Sequence, residues 1–157
     1  MKTLDKYFVA AAFIVLLSAC GGGGKSRIEQ IKEQSKMEVA DPYENWKQFH
    51  GVGPVEQFSL PADIDQQLVT NGREIFESKC TACHKVEKKF IGPAPKGILS
   101  RRNPAWVMNM ILAPDKMVKE DPIAKKLLQE FNGSPMANQN LTEDEARAVL
   151  EYFRTLN

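Results

Sequence analysis

Groups able to bind a metal are scarce in this chain: its thiols are Cys20, Cys80 and Cys83, and its imidazoles are His50 and His84. A structural zinc site normally takes four Cys or His ligands. With Cys20 assigned elsewhere, as below, a zinc ribbon runs short of them. Long hydrophobic runs are also lacking. The apolar stretch at residues 7–17 (YFVAAAFIVLL) falls short of the roughly 20 residues that a membrane-spanning helix needs. A charge excess of either sign is missing too: the formal net charge is +1, and it becomes 0 once residues 1–19, which carry Lys2, Asp5 and Lys6, are removed. That balance argues against nucleic acid as a partner. Nor do buried-strand patterns flank Cys80, so the strand-helix-strand frame of a thioredoxin-like dithiol is not in view.

What the chain does have is Cys80-Thr81-Ala82-Cys83-His84, the C-x-x-C-H pattern by which a haem is attached covalently. Two thiols three positions apart can reach the two vinyl groups of one porphyrin, and the adjacent imidazole can then ligate the iron from the proximal side. One c-type haem, held by Cys80 and Cys83 and ligated by His84, is the expected cofactor.

The N-terminus supplies a matching context. Lys2 and Lys6 precede the apolar run, and Ser18, Ala19 and Cys20 follow it, so residues 1–19 read as a signal peptide ending at small residues. Leu17-Ser18-Ala19-Cys20 resembles the lipobox of bacterial lipoproteins, which implies lipidation of Cys20 and a mature chain beginning there. With Cys20 acylated and Cys80 and Cys83 in thioethers, no thiol remains, and the odd cysteine count needs no disulfide. The expected location is the bacterial periplasm, on the outer membrane or on the outer leaflet of the inner membrane. The glycine after Cys20 is similar to the outer-membrane form of the sorting signal.

Residues 20–60 read as a lipid-anchored tether and strap, and residues 61–157 as the folded domain. Gly21 to Gly24 form a flexible leash. Residues 25–37 are charged, with only Ile28, Ile31 and Met37 to bury, which is too little for a core. Residues 41–60 place Tyr43, Trp46, Phe49, Val52, Val55 and Phe58 among Pro42, Gly51, Gly53 and Pro54, the pattern of an irregular strap packed on a neighbour. Trp46 and Phe49 are expected to be packing residues. The 97 residues that follow suit one small domain whose core is completed by a buried cofactor.

Helical spacing defines the two ends of that domain. A first helix should start near Ile64 or Asp65 and run into the haem motif, with Leu68, Ile75 and Phe76 apolar and Gly72 on the face of Phe76. A mid-helix glycine costs roughly 1 kcal/mol relative to alanine, so it marks a close approach of another element. The closing helix should start at Thr142, because Thr142 and Glu145 form a capping box, and its stripe is Ala146, Val149, Leu150 and Phe153. A helix between them should begin at Asn103-Pro104.

These features resemble the class I, mono-haem cytochromes c, in a lipoprotein-anchored bacterial form. The resemblance covers about residues 61–157. It implies an all-α, small cytochrome c fold of about four to five helices around one covalently bound haem, preceded by an irregular N-terminal tether. It further implies that Gly72 and Phe76 meet Val149 and Tyr152 where the terminal helices cross. The Pro93 carbonyl, in Gly92-Pro93, would take the Nδ1 proton of His84 and so fix the imidazole.

Four methionines compete for the sixth iron position. Met136 lies in a loop of turn formers, residues 132–138 (NGSPMAN), just before the closing helix, and the resembled family places its methionine there. Met117, in a turn-like APDKM segment, is the second choice. Met108 and Met110 are expected to fill core gaps beside Trp106, Val107, Ile111 and Leu112. His50 is the remaining imidazole, placed in the strap. Trp106, Arg101 and Arg102 are candidate donors to the haem propionates.

A methionine-histidine pair fills both axial positions and raises the potential, which implies a one-electron carrier and not an enzyme. The competing reading is a haem enzyme or gas sensor with an open sixth position. Expected partners are redox proteins: a donor from a quinol-oxidising chain and, as acceptor, a terminal reductase or oxidase. The chain is similar to small lipid-anchored cytochromes encoded beside nitrous oxide reductase, which makes that enzyme the first acceptor to consider. The membrane is reached through the lipid, and a monomer is expected. Residues 79–126 carry 11 positive and 4 negative side chains. Lys79, Lys85, Lys88, Lys89, Lys96, Arg101 and Arg102 could therefore ring the haem edge and steer an acidic partner.

Overall fold

Asp65 starts the first helix by accepting the N–H groups of Gln67 and Leu68 on its carboxylate, at 2.8 and 3.1 Å. Such a cap is worth about 1 kcal/mol. From it helix α1 runs Gln66–Lys79 in the computed structural model, which describes residues 41–157. The signal peptide at 1–19, the lipidated Cys20 and the tether up to residue 40 lie outside the described residues.

Three helices follow, each opened by a proline at its first turn: α2 (Pro104–Leu112), α3 (Pro114–Glu120) and α4 (Pro122–Glu130). Proline suits that position because its missing N–H would have had no partner and its φ is already helical. Asn103 caps α2 through Ala105 N–H, and Asp121 caps α4 through Ala124 N–H. Helix α5 (Glu143–Arg154) opens with the full capping box: Thr142 Oγ1 accepts Glu145 N–H and the Glu145 carboxylate accepts Thr142 N–H. Glu143, Asp144 and Glu145 in its first turn complement the positive end of the helix dipole. Among the described residues there are five α-helices and no strands.

Helices α1 and α5 cross at Gly72. A Cβ there would overlap the Ala148 carbonyl and come within 2.9 Å of Val149 N, so glycine is what lets the two backbones meet. One turn on, the Phe76 ring sits 5.7 Å from the rings of both Tyr152 and Phe153. Glu151 is fully buried beside this crossing. It pairs with Arg147 and Arg154 and accepts the Asp65 N–H at 2.9 Å. Arg154 also donates to the carbonyls of Pro61, Ala62 and Asp63, tying the entry of α1 to the end of α5. Burial works to raise the Glu151 carboxyl, but the Asp65 N–H and the two arginines outweigh it and hold it below the usual range.

Residues 41–60 lie against α2 and α3 as a strap. Asn109, buried in α2, grips its backbone: Oδ1 accepts Val55 N–H at 3.0 Å, and Nδ2 donates to the Val55 and His50 carbonyls at 2.8 and 2.9 Å. Gly53 leaves the room that Asn109 needs, and Gly51, at φ +80°, does the same for Met117. Val52 N–H points at Met117 Sδ, 3.0 Å away, and Val55 is buried in the core. Trp46 and Phe49 pack against that core as half-buried side chains.

Candidate haem-binding site

The end of α1 delivers the motif. Cys80 closes the helix by donating its N–H to Phe76, and the N–H groups of Cys83 and His84 both return to the Cys80 carbonyl, at 3.1 and 2.9 Å. This turn brings Cys80, Cys83 and His84 onto the wall of one cavity of about 250 Å³. The two thiols are free. Burial pushes the Cys80 thiol above its ordinary value, whereas Cys83 is exposed.

The loop after the motif orients the imidazole. Gly92 N–H returns to the Cys83 carbonyl at 2.9 Å, and a Cβ on Gly92 would come within 2.8 Å of His84 Nδ1. The glycine therefore lets the chain lie flat on the ring. The next residue, Pro93, presents its carbonyl 2.8 Å from His84 Nδ1. A carbonyl only accepts, so Nδ1 carries the proton and Nε2 keeps its lone pair for a metal.

Two methionines reach the same cavity. Met136 comes from the 132–140 loop, whose entry is turned by Asn132 and Gly133 at φ 57° and 74°. Met110 comes from α2, where it packs half-buried against the core as expected and also lines the cavity. Met108 does fill the core, 1% exposed. The expectation for Met117 changes most. Its APDKM segment is the start of helix α3, not a turn, and its sulfur sits under the strap at Val52, away from the cavity. Pro114 at the first helical position explains the difference, since the residue that looked like a turn former is a helix opener. His50 also stays off the cavity wall, its carbonyl held by Asn109.

These residues fit a covalent haem. The remaining wall is largely apolar, including Phe76, Val107, Ile111, Leu127, Leu141 and Phe153. Two free thiols, an oriented imidazole and a thioether open onto it. A family model described as cytochrome c matches residues 69–157. The chain belongs to the cytochrome c family. A cytochrome c from Rhodothermus marinus is 43% identical, with a TM-score of 0.63 over 66% of this chain and 89% of that one. An engineered form of the Rhodothermus protein, bound to a carbene intermediate, is 42% identical, with a TM-score of 0.61 and coverage of 66% and 89%. Cytochrome c-551 from Ectopseudomonas mendocina is 31% identical over 87 residues, which are 55% of this chain and 98% of that protein. The chain is thus an all-α cytochrome c and an electron-transfer haem protein. It binds one covalent c-type haem, and Cys80 and Cys83 fit the attachment motif.

Within this cytochrome c, the candidate propionate donors and haem-edge cations divide. Trp106 spends its indole N–H on Asp121 Oδ1 at 2.9 Å. It is therefore not free for a propionate, because the buried cap of α4 already needs that donor. Arg101 donates to the Lys96 and Ala94 carbonyls. Arg102 does not belong to an exposed ring of charge: it is 7% exposed, and its guanidinium lies 4.4 Å from the Tyr43 ring and 5.4 Å from that of Trp106. Both arginines line the cavity, and burial lowers both guanidinium groups from the usual arginine range. Lys96 pairs with Glu87 at 3.0 Å. Sequence reasoning missed Asn109 and Glu151, whose partners lie 54 and 86 residues away; a buried polar residue on the apolar face of α2 was the one signal for Asn109.

Proposed function

We propose that this cytochrome c is a periplasmic one-electron carrier, tethered to a membrane through a lipid on Cys20, and that His84 and Met136 are its axial ligands. The observation that supports this most is the convergence of Cys80, Cys83, His84 and Met136 on one apolar cavity, with His84 already oriented by Pro93. When bound, the haem supplies a one-electron iron couple. Cys80 and Cys83 would hold it by thioethers, and His84 Nε2 and the Met136 thioether would ligate its iron. An iron ligated in this way by two side chains would exchange electrons rather than bind a substrate, and the soft sulfur ligand would favour the reduced state.

The partner side is the rim near the motif. Phe90 and Ile91 are 49% and 48% exposed, and Ile91 also lines the cavity. Exposed Lys79, Lys88 and Lys89 and half-buried Lys85 lie in the same segment, with Lys85 Nζ 5.2 Å from the Phe90 ring. An apolar centre within positive charge suits a transient acidic redox partner. The donor belongs to a quinol-oxidising chain and the acceptor is a terminal reductase, nitrous oxide reductase being the first to test; the carrier works as a monomer.

The holoprotein, purified and run on a denaturing gel, should retain covalent haem, and its reduced form should be low-spin and unreactive to carbon monoxide. Rapid carbon monoxide binding by the native protein would refute the filled sixth position. Cys20→Ser should release the protein from the membrane fraction; retention there refutes the lipid anchor. Deletion should abolish nitrous oxide reduction with oxygen respiration intact, and survival of that activity refutes this acceptor.

A further inference from the structure

Arg102 is a buried cation without a direct ion pair among the described residues. None of the described carboxylates lies within ion-pair distance of it, so Glu130 and Asp121 support its charge only from longer range, and its one hydrogen bond runs from Nη1 to the Arg101 carbonyl at 2.6 Å. A guanidinium removed from water needs partners. Here it finds two aromatic faces. One is Trp106, from the domain itself; the nearer one, at 4.4 Å, is Tyr43.

Tyr43 belongs to the strap, outside the 69–157 segment matched by the family. It is fixed from its other neighbours as well: Lys126 Nζ lies 4.0 Å from the Tyr43 ring and 3.3 Å from Asp41 Oδ2, and Asp41 Oδ1 accepts the Tyr43 N–H at 2.9 Å. The Tyr43 hydroxyl is buried with no hydrogen-bond partner. The ring, not the hydroxyl, is therefore the part that holds the guanidinium, by cation–π contact.

The cavity that Arg102 lines is the one lined by His84 and Met136. We infer that Tyr43 is a positioning residue for Arg102, and that through this pair the strap sets the reduction potential of the haem. A fixed positive charge on the cavity wall favours the redox state with one positive charge less, the reduced one. Tyr43 keeps that charge on the wall. A strap without the ring would leave Arg102 free to swing toward water, where its charge is screened. The inference rests on the cavity being the haem site.

Potentiometric titration of the full-length holoprotein tests it. At fixed applied potential, Tyr43→Leu should raise the oxidised-to-reduced ratio about threefold or more, which is roughly 28 mV at 59 mV per tenfold for one electron. Tyr43→Phe should leave the ratio at its wild-type value, because the ring is kept. Arg102→Gln should shift the ratio in the same direction as Tyr43→Leu, and the double variant should match Arg102→Gln alone. If Tyr43→Leu yields no holoprotein, Tyr43→Met carries the same expectation. Haem staining and the low-spin spectrum read the cofactor site separately. An unshifted potential in a variant with an intact spectrum therefore overturns the role of Tyr43 while leaving the haem assignment standing. A Tyr43→Leu shift that persists undiminished in the Arg102→Gln background overturns it too.

Discussion

Asn109 binds the backbone of Val55 in both directions, accepting its N–H at 3.0 Å and donating to its carbonyl at 2.8 Å, with both residues buried. A side-chain amide here does what a neighbouring strand would do for an extended segment. It lets residues 41–60 cross the domain without leaving buried peptide groups unpaired.

Asn109→Ala removes three hydrogen bonds and strands their backbone partners. Each unsatisfied buried group costs about 1–3 kcal/mol, so a loss of roughly 3 kcal/mol in unfolding stability is expected, read by denaturant titration. Early protease cleavage within residues 41–60 should accompany it, and wild-type stability with an uncut strap would contradict the clamp.

Gly72→Ala sets two effects of opposite sign against each other. Alanine favours a helix over glycine by about 1 kcal/mol. Its Cβ, however, would overlap the Ala148 carbonyl, which belongs to backbone and cannot swing aside. Overpacking costs of about 1–3 kcal/mol should win, so thermal unfolding of the variant holoprotein should move to lower temperature.

Glu151 gives the acid limb of the stability curve. Its folded carboxyl lies below the unfolded value of 4.5, because the Asp65 N–H, Arg147 and Arg154 outweigh its burial. A depressed carboxylate contributes stability that is present above the unfolded value and lost as pH falls through the lower, folded one. Stability measured from pH 7 down to pH 3 should therefore fall below about pH 4.5, and Glu151→Gln should flatten that part of the fall.

Tyr43 acts at the opposite end. Burial first, and then the charge of Glu130, push its phenol up from 10.0 to about 12. A raised acid keeps its full contribution below the unfolded value and loses it as pH rises through the folded one, so the window is pH 10 to about 12. Trp46, in the same strap, should report release there by fluorescence. Tyr43→Phe, which has no proton to lose, should postpone that release.

What was legible in the chain was local. Asp65, Asn103 and Thr142 start helices through bonds to residues two or three positions on, and such caps can be read from a short window. Gly72 and Phe76 were legible because the spacing of a helix puts them on one face, and the haem motif because its five residues are contiguous. Met117 was misplaced because Pro114 opens a helix as readily as it shapes a turn. Trp106 was offered to the haem because nothing near it in sequence points to Asp121, 15 residues on. Arg102 was legible as a haem-edge charge and a propionate donor, but not its packing against Tyr43, which comes from a distant segment.

Met136 and Met110 share the cavity wall, which makes the choice between them the most direct test of the site. The oxidised spectrum of the holoprotein, read for the methionine-to-iron charge-transfer band, compares Met136→Ala with Met110→Leu and Met117→Leu. The band should vanish in Met136→Ala and persist in the other two. A band that survives Met136→Ala, or one that disappears only in Met110→Leu, would contradict the assignment of Met136 and the closed, six-coordinate carrier site built on it.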